Sequence, residues 1–199
     1  ENFGEKMSIL DLFKGKKGIL FAVPGAFTPT CSEKHLPGYI EGAEELKAAG
    51  AEVVACVAVN DAFVMKAWGK QQETEGKVTM LADAGCQLTK ALDMELDAAD
   101  KLGNVRSKRY AMIVDDGKIT KIGMDDDSFA PEMLAAMKYA LSTRSSFEAR
   151  GAPARALRGP LHAGDDGSLD HSSELLVRVA GRPAHRRPAR PIFQPPCPS

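Results

Sequence analysis

Two wholly apolar runs, residues 19–23 and 53–59, constrain this chain more than any other feature of it. Each is too short to span a bilayer. Each is too continuous for a strand with one wet face, and so reads as a strand buried on both faces, over residues 17–23 and 52–59. Between them, residues 31–49 carry Tyr39, Ile40, Ala43 and Leu46 at helical spacing, with Gly50 at the stop. Pro37 and Gly38 predict a kink in the first turns. Strands joined through a helix run parallel.

The rest of the pattern extends this unit. Asp61 is placed to cap a helix carrying Phe63, Val64, Ala67 and Trp68. A short strand is predicted at 78–81 and a short helix at 86–92. The runs 110–114 and 119–124 flank Asp116-Gly117, a strong hairpin signal. A final amphipathic helix over 130–141 presents Met133, Leu134, Met137 and Leu141 on one face. Parallel strands linked through helices, followed by an antiparallel hairpin, predict an α/β fold. It is a thioredoxin-like mixed sheet flanked by helices.

Composition divides the chain near residue 147. The last 52 residues hold eight of the twelve prolines, eight of the eleven arginines and no lysine, whereas the first 147 hold fifteen lysines. The only apolar run there is Leu175, Leu176, Val177 and Val179, too little to offset the ordering entropy of the segment. The expectation is a domain over 1–147, short at its amino end, and a disordered Arg/Pro-rich tail over 148–199. The tail fits a non-native reading frame, a linker or a basic binding arm, and its mixed charge and lack of aromatics disfavour the last. A formal net charge of -1 argues against a nucleic-acid binder. No apolar run reaches membrane length, so no membrane partner is expected.

Chemistry concentrates in Pro24-Gly25-Ala26-Phe27-Thr28-Pro29-Thr30-Cys31. A buried parallel strand ends, a proline-bounded turn follows, and a cysteine opens a helix. The carboxyl ends of parallel strands are where such folds place their sites. First-turn N–H groups and the helix dipole favour an anion there, and the thiolate is the nucleophilic form of a thiol. Thr28 can direct its hydroxyl towards the sulfur or an incoming oxygen. Cys31 and His35 are spaced as a helical metal chelate, but two ligands without a third predict no metal site. Without a C-x-x-C, a dithiol reductase is disfavoured. Gly15-Lys16-Lys17-Gly18 lacks the phosphate-loop pattern and reads as a solvated turn, and Trp68 as core.

These residues resemble a known family. Pro24, Thr28 and Cys31 match the P-x-x-x-T-x-x-C pattern of peroxiredoxins. His35-Leu36-Pro37-Gly38, residues 59–64, Leu81-Ala82-Asp83 and residues 106–110 look like its type II branch, in the same order. The resemblance covers about residues 10–141. It implies a thiol-dependent peroxidase that reduces hydrogen peroxide and organic hydroperoxides through a cysteine sulfenic acid, in redox homeostasis and oxidative-stress defence. It implies no cofactor. Cys31 matches the peroxidatic cysteine, Thr28 its hydroxyl partner, Pro24 the shielding proline and Arg109 the arginine that holds thiolate and peroxide. Arg106 could orient the site from behind.

The implied partners are peroxides and, as reductant, thioredoxin, glutaredoxin or glutathione, with a homodimer left open. Cys56 has two readings: an inert core thiol, or the resolving cysteine that plant-like members carry at the matching position. Cys86 matches no family role, and Cys197 sits among tail prolines. The cytosol is the first expectation for location. Mitochondrion and plastid stay open because the chain starts at Glu1 rather than Met. A thioredoxin-fold redox sensor or binding protein with little turnover is the rival reading.

Overall fold

The computed structural model describes residues 5–124, 128–148 and 176–180. Its centre is the predicted pair of parallel strands, β2 (Lys17–Ala22) and β3 (Val53–Ala58). β4 (Thr79–Ala82) adds to β3 in parallel, and β7 (Tyr110–Asp115) adds to β2 antiparallel. β8 (Lys118–Met124) returns from β7 through Asp116 and Gly117, both at positive φ (49° and 73°). That is the geometry a two-residue hairpin requires.

Alternation along the central strands explains why the runs are apolar throughout. Ile19, Phe21, Val54, Cys56 and Ile113 face one core, and Leu20, Ala22, Ala55, Val57 and Met112 face the other. The first core is covered by α2 (Leu36–Glu41), α3 (Ala43–Ala48), α4 (Ala62–Gln71) and α7 (Ala130–Glu148), through Tyr39, Leu46, Trp68 and Met133. The second is covered by α1 (Ile9–Phe13) and α5 (Gln87–Ala91), through Phe13 and Leu88. Two layers of helix on one mixed sheet are the thioredoxin-like arrangement. Gly18 marks how tightly β2 and β3 meet, because a Cβ there would run into the Val53 carbonyl oxygen.

Several expectations need adjustment. The helix predicted over 31–49 is three pieces: a π-turn at Cys31–His35, then α2 and α3 separated at Gly42. The wide turn closes from Leu36 N–H to Cys31 O, immediately before Pro37. Proline has no N–H to give and its ring crowds the carbonyl four residues back, so the helix widens there. Asp61 caps α4 as expected, accepting from Phe63 and Val64 N–H, but Phe63 itself is exposed and Met65 takes its inward place. The lysine–glycine stretch is only half a turn, since Lys17 and Gly18 belong to β2.

The sequence reading did not foresee β1 (Glu5–Ser8) or the small second sheet of β5 (Glu95–Ala98) and β6 (Asn104–Ser107), joined by α6 (Ala99–Leu102). Nor did it foresee β9 (Leu176–Ala180), which lies in the tail and pairs antiparallel with both β1 and β4. The full order is β1-β9-β4-β3-β2-β7-β8. Composition misses β9 because it counts buried apolar area. A strand set between two others also gains its main-chain ladder on both edges. The remainder of the tail, with Cys197, and Asp125–127 lie outside the described residues.

Candidate active site

The loop after β2 is held at several points. Val23 N–H continues the strand pairing to Val57 O at 3.1 Å. Asn60 Oδ1 accepts Ala26 N–H at 3.0 Å, and Thr28 Oγ1 donates to Gly25 O at 2.9 Å. Phe27 sits at φ +62°, a left-handed conformation that costs a non-glycine residue energy and needs such a frame to persist. Ser32 N–H donates to Thr28 O at 2.9 Å, so the helical bonding starts at Thr28 and Cys31 lies in its first turn.

Cys31 is buried, 1% exposed. Arg109, which immediately precedes β7, donates from Nη2 to Cys31 Sγ at 3.5 Å. Its second terminal nitrogen, Nη1, is buried with no hydrogen-bond partner among the described residues. Its guanidinium carbon lies 6.0 Å from the centre of the Phe129 ring, an aromatic face that favours a cation. Trp68 Nε1 donates to Ser32 Oγ at 3.1 Å, which places the chain's one tryptophan beside the cysteine turn.

The structure brings Pro24, Thr28 and Arg109 to one wall of a cleft of ≈ 690 Å³. The facing wall is residues 96–102 of the β5–α6 segment. Arg106 does not reach the sulfur. Its Nη1 donates to Val59 O at 3.0 Å and its Nη2 to Leu102 O at 3.1 Å, which ties the facing wall to the end of β3. Thr28 differs from expectation in one respect: its proton is directed to Gly25 O, not to the sulfur, because a threonine three residues after a carbonyl closes a local turn.

Cys56 is fully buried in the middle of β3, between Phe21 and Met80 on the neighbouring strands. Burial first, and then the Cys31 charge, push its thiol well above the ordinary range. Cys86 precedes α5 at φ +56°, and burial, Asp83 and Glu95 raise its thiol too. Asp83 accepts from the N–H groups of Gln87, Leu88 and Thr89 and is a helix cap.

Asn60 and the cleft wall were missed by sequence reasoning. Asn60 lies in the 59–64 stretch that resembles the type II branch, but nothing in the sequence pointed to its bond with Ala26. The wall had a signal: Asp97 caps α6 through Ala99 N–H, and Gly103 at φ +78° ends it. His35 does not join Cys31 in a chelate, because its Nε2 faces the Ser128 carbonyl at 3.1 Å.

A thioredoxin-like sheet with a buried, arginine-held cysteine in the first turn of a helix defines a thiol-based redox protein. Comparison with known proteins agrees. The Redoxin family model matches residues 2–138. Peroxiredoxin-2E-2, chloroplastic, of Oryza sativa subsp. japonica is 49% identical over 140 residues, covering 66% of this chain and 62% of that one. Peroxiredoxin-2B of Arabidopsis thaliana is 54% identical over 113 residues, covering 57% and 70%. Among solved structures, reduced Prx3 of Vibrio vulnificus in complex with H2O2 superposes with a TM-score of 0.64 at 52% identity, over 67% of this chain and 84% of that one. Peroxiredoxin 5 of Alvinella pompejana gives 0.63 at 45%, over 66% and 84%. The chain belongs to the redoxin family, as a type II peroxiredoxin. It spans 62% and 59% of the length of the chloroplastic relatives from rice and Arabidopsis.

Proposed function

We propose that this chain is a thiol peroxidase that reduces hydrogen peroxide and organic hydroperoxides in oxidative-stress defence, with Cys31 as the nucleophile. One observation carries the reading. Arg109 spans the site, with Nη2 on the Cys31 sulfur and Nη1 buried and, among the described residues, unpartnered. An unpartnered buried donor on a permanent cation is suited to an oxygen that gains charge. The Cys31 thiolate attacks one peroxide oxygen along the O–O axis. The S–O bond forms as the O–O bond breaks, and the electron pair leaves on the distal oxygen, which takes a proton and departs as water or alcohol. Cys31 is left as a sulfenic acid. Arg109 stabilises the charge in transit. Thr28, its proton engaged by Gly25, offers lone pairs that accept the peroxide O–H. Pro24 lines the adjoining cleft, and the burial of Cys31 restricts water at the sulfur.

A thiol then reduces the sulfenic acid. The setting of Cys56 favours an external thiol over an internal one. A mid-strand thiol held between two partner strands has little freedom to move, and its raised pKa keeps it in the unreactive protonated form. Glutathione followed by glutaredoxin, or thioredoxin, fits this route. The names of the rice and Arabidopsis 2E relatives support a plastid beside the cytosol as location. The test is mass spectrometry after one equivalent of peroxide, with steady-state turnover of Cys31→Ser and Cys56→Ser. Oxidation by one oxygen at Cys31, no turnover in Cys31→Ser and at least half the glutathione-supported rate in Cys56→Ser are expected. Normal turnover in Cys31→Ser would overturn the reading. Oxidation without steady-state turnover would make the chain a sensor.

A further inference from the structure

The reaction just described leaves two buried rings unused. His35 and Tyr39 lie on the helical segment that starts at Cys31, and both are fully buried. They converge on a single acceptor, the main-chain carbonyl of Ser128. Tyr39 donates its hydroxyl there at 2.6 Å, and His35 Nε2 lies 3.1 Å from the same oxygen. A carbonyl only accepts, so Nε2 carries the proton. Ser128 Oγ is 3.3 Å from that nitrogen, and Nδ1 is buried without a partner among the described residues.

The next residue carries the contact to the cysteine site. The Phe129 ring meets the His35 ring edge to face at 4.9 Å, and the same ring lies 6.0 Å from the Arg109 guanidinium carbon. Arg109 in turn donates to Cys31 Sγ. The contacts close a circuit: Cys31, along the helix to His35 and Tyr39, across to Ser128 and Phe129, onto Arg109, and back to the sulfur. His35 has its proton affinity lowered by burial first and also by the charge of Arg109, so a neutral ring stands in this circuit at working pH.

We propose that His35, seconded by Tyr39, is a positioning residue for Arg109: by holding the Ser128 carbonyl it sets the Phe129 ring against the guanidinium and keeps Nη2 on the Cys31 sulfur. This rests on the reading above, in which Arg109 acts in the peroxide step. A ring that only filled core volume would not need two donors on one oxygen.

The experiment is a double-mutant cycle on the full chain. The second-order rate of H2O2 with reduced protein is followed by stopped-flow Trp68 fluorescence and by rapid-quench mass spectrometry of the sulfenic acid. The proteins are wild type, His35→Leu, His35→Gln, Arg109→Ala and the His35→Leu, Arg109→Ala pair. Misplacing a reacting group by about an ångström costs up to roughly 100-fold, so His35→Leu should slow the step by roughly 10- to 100-fold. His35→Gln returns an N–H donor near the Nε2 position and should recover most of that loss. In the Arg109→Ala background His35→Leu should cost nothing more. An unchanged rate in His35→Leu, or the same loss with and without Arg109, overturns the proposal. Arg109→Ala at the wild-type rate overturns both the proposal and the place of Arg109 in the site. Should His35→Leu not fold, Tyr39→Phe removes the second donor at nearly constant volume, and the same cycle applies to it.

Discussion

Arg109 and Arg106 stand three residues apart and divide two tasks that sequence alone left overlapping. Arg109 faces the sulfur, whereas Arg106 has both terminal nitrogens on main-chain carbonyls. Arg109→Ala should therefore slow the peroxide step by on the order of 2–4 kcal/mol, about 30- to 1,000-fold, the usual loss for one donor to a developing charge. Arg106→Ala should act through the cleft wall, raising the KM for bulky hydroperoxides more than it slows H2O2. Stopped-flow rates for both variants with H2O2 and cumene hydroperoxide decide it, and equal losses with H2O2 would take Arg109 out of the site. His35 adds a pH dependence. Its value falls from 6.5 to about 4 on folding, chiefly by burial. Between those values the unfolded chain binds the proton and the folded chain does not. Stability is then full above about pH 6.5 and declines towards pH 4, by about 3 kcal/mol in all. Urea midpoints at pH 7 and 4.5 should differ more for wild type than for His35→Gln; an equal difference would show that His35 is not the group responsible. Of these residues, Cys31, Thr28 and Pro24 were legible because they share one short segment with turn formers around them. His35 and Asn60 were not. Both lie in stretches that resemble the family, but the partner of each, Ser128 or Ala26, is fixed only by tertiary packing.

Elements were legible where one physical signal sufficed. Continuous apolar runs marked β2 and β3 because both faces of that sheet are covered. Asp116-Gly117 marked the hairpin because both positions need positive φ. Where bonding rather than burial decides, the signal fades. β5 is mostly exposed and β6 nearly so, hence neither shows an apolar alternation. β9 is the larger case, five residues in an arginine- and proline-rich segment that complete the sheet between β1 and β4. Among the described residues β1 has no other strand beside it. Ending the chain after Glu148 should then free β1 and bare one edge of β4. The expected result is a lower melting temperature and fast amide exchange at Lys6, Met7 and Ser8, with the region of Cys31 and Arg109 protected as before. An unchanged melting temperature and unchanged exchange at those amides would show that β9 contributes nothing to stability.

At the scale of the whole molecule, the parts on which the site depends are drawn from distant stretches of chain. Cys31 belongs to the first half, Arg109 to the position just before the strand that returns beside it, and Phe129 to the approach to α7. The thioredoxin-like sheet is what turns these separations into contacts, because β7 pairs directly with β2. The same sheet sets a timetable. Glu5 pairs with Val179, nearly the full chain away, and loop closure over such a span is slow to form. During synthesis at ~5–20 residues per second, β1 emerges on the order of ten seconds before its partner exists. The core strands β2, β3, β4 and β7 are complete well within that interval, so the nascent domain passes through a stage with its cysteine site assembled and its outer sheet edge open to any other strand nearby.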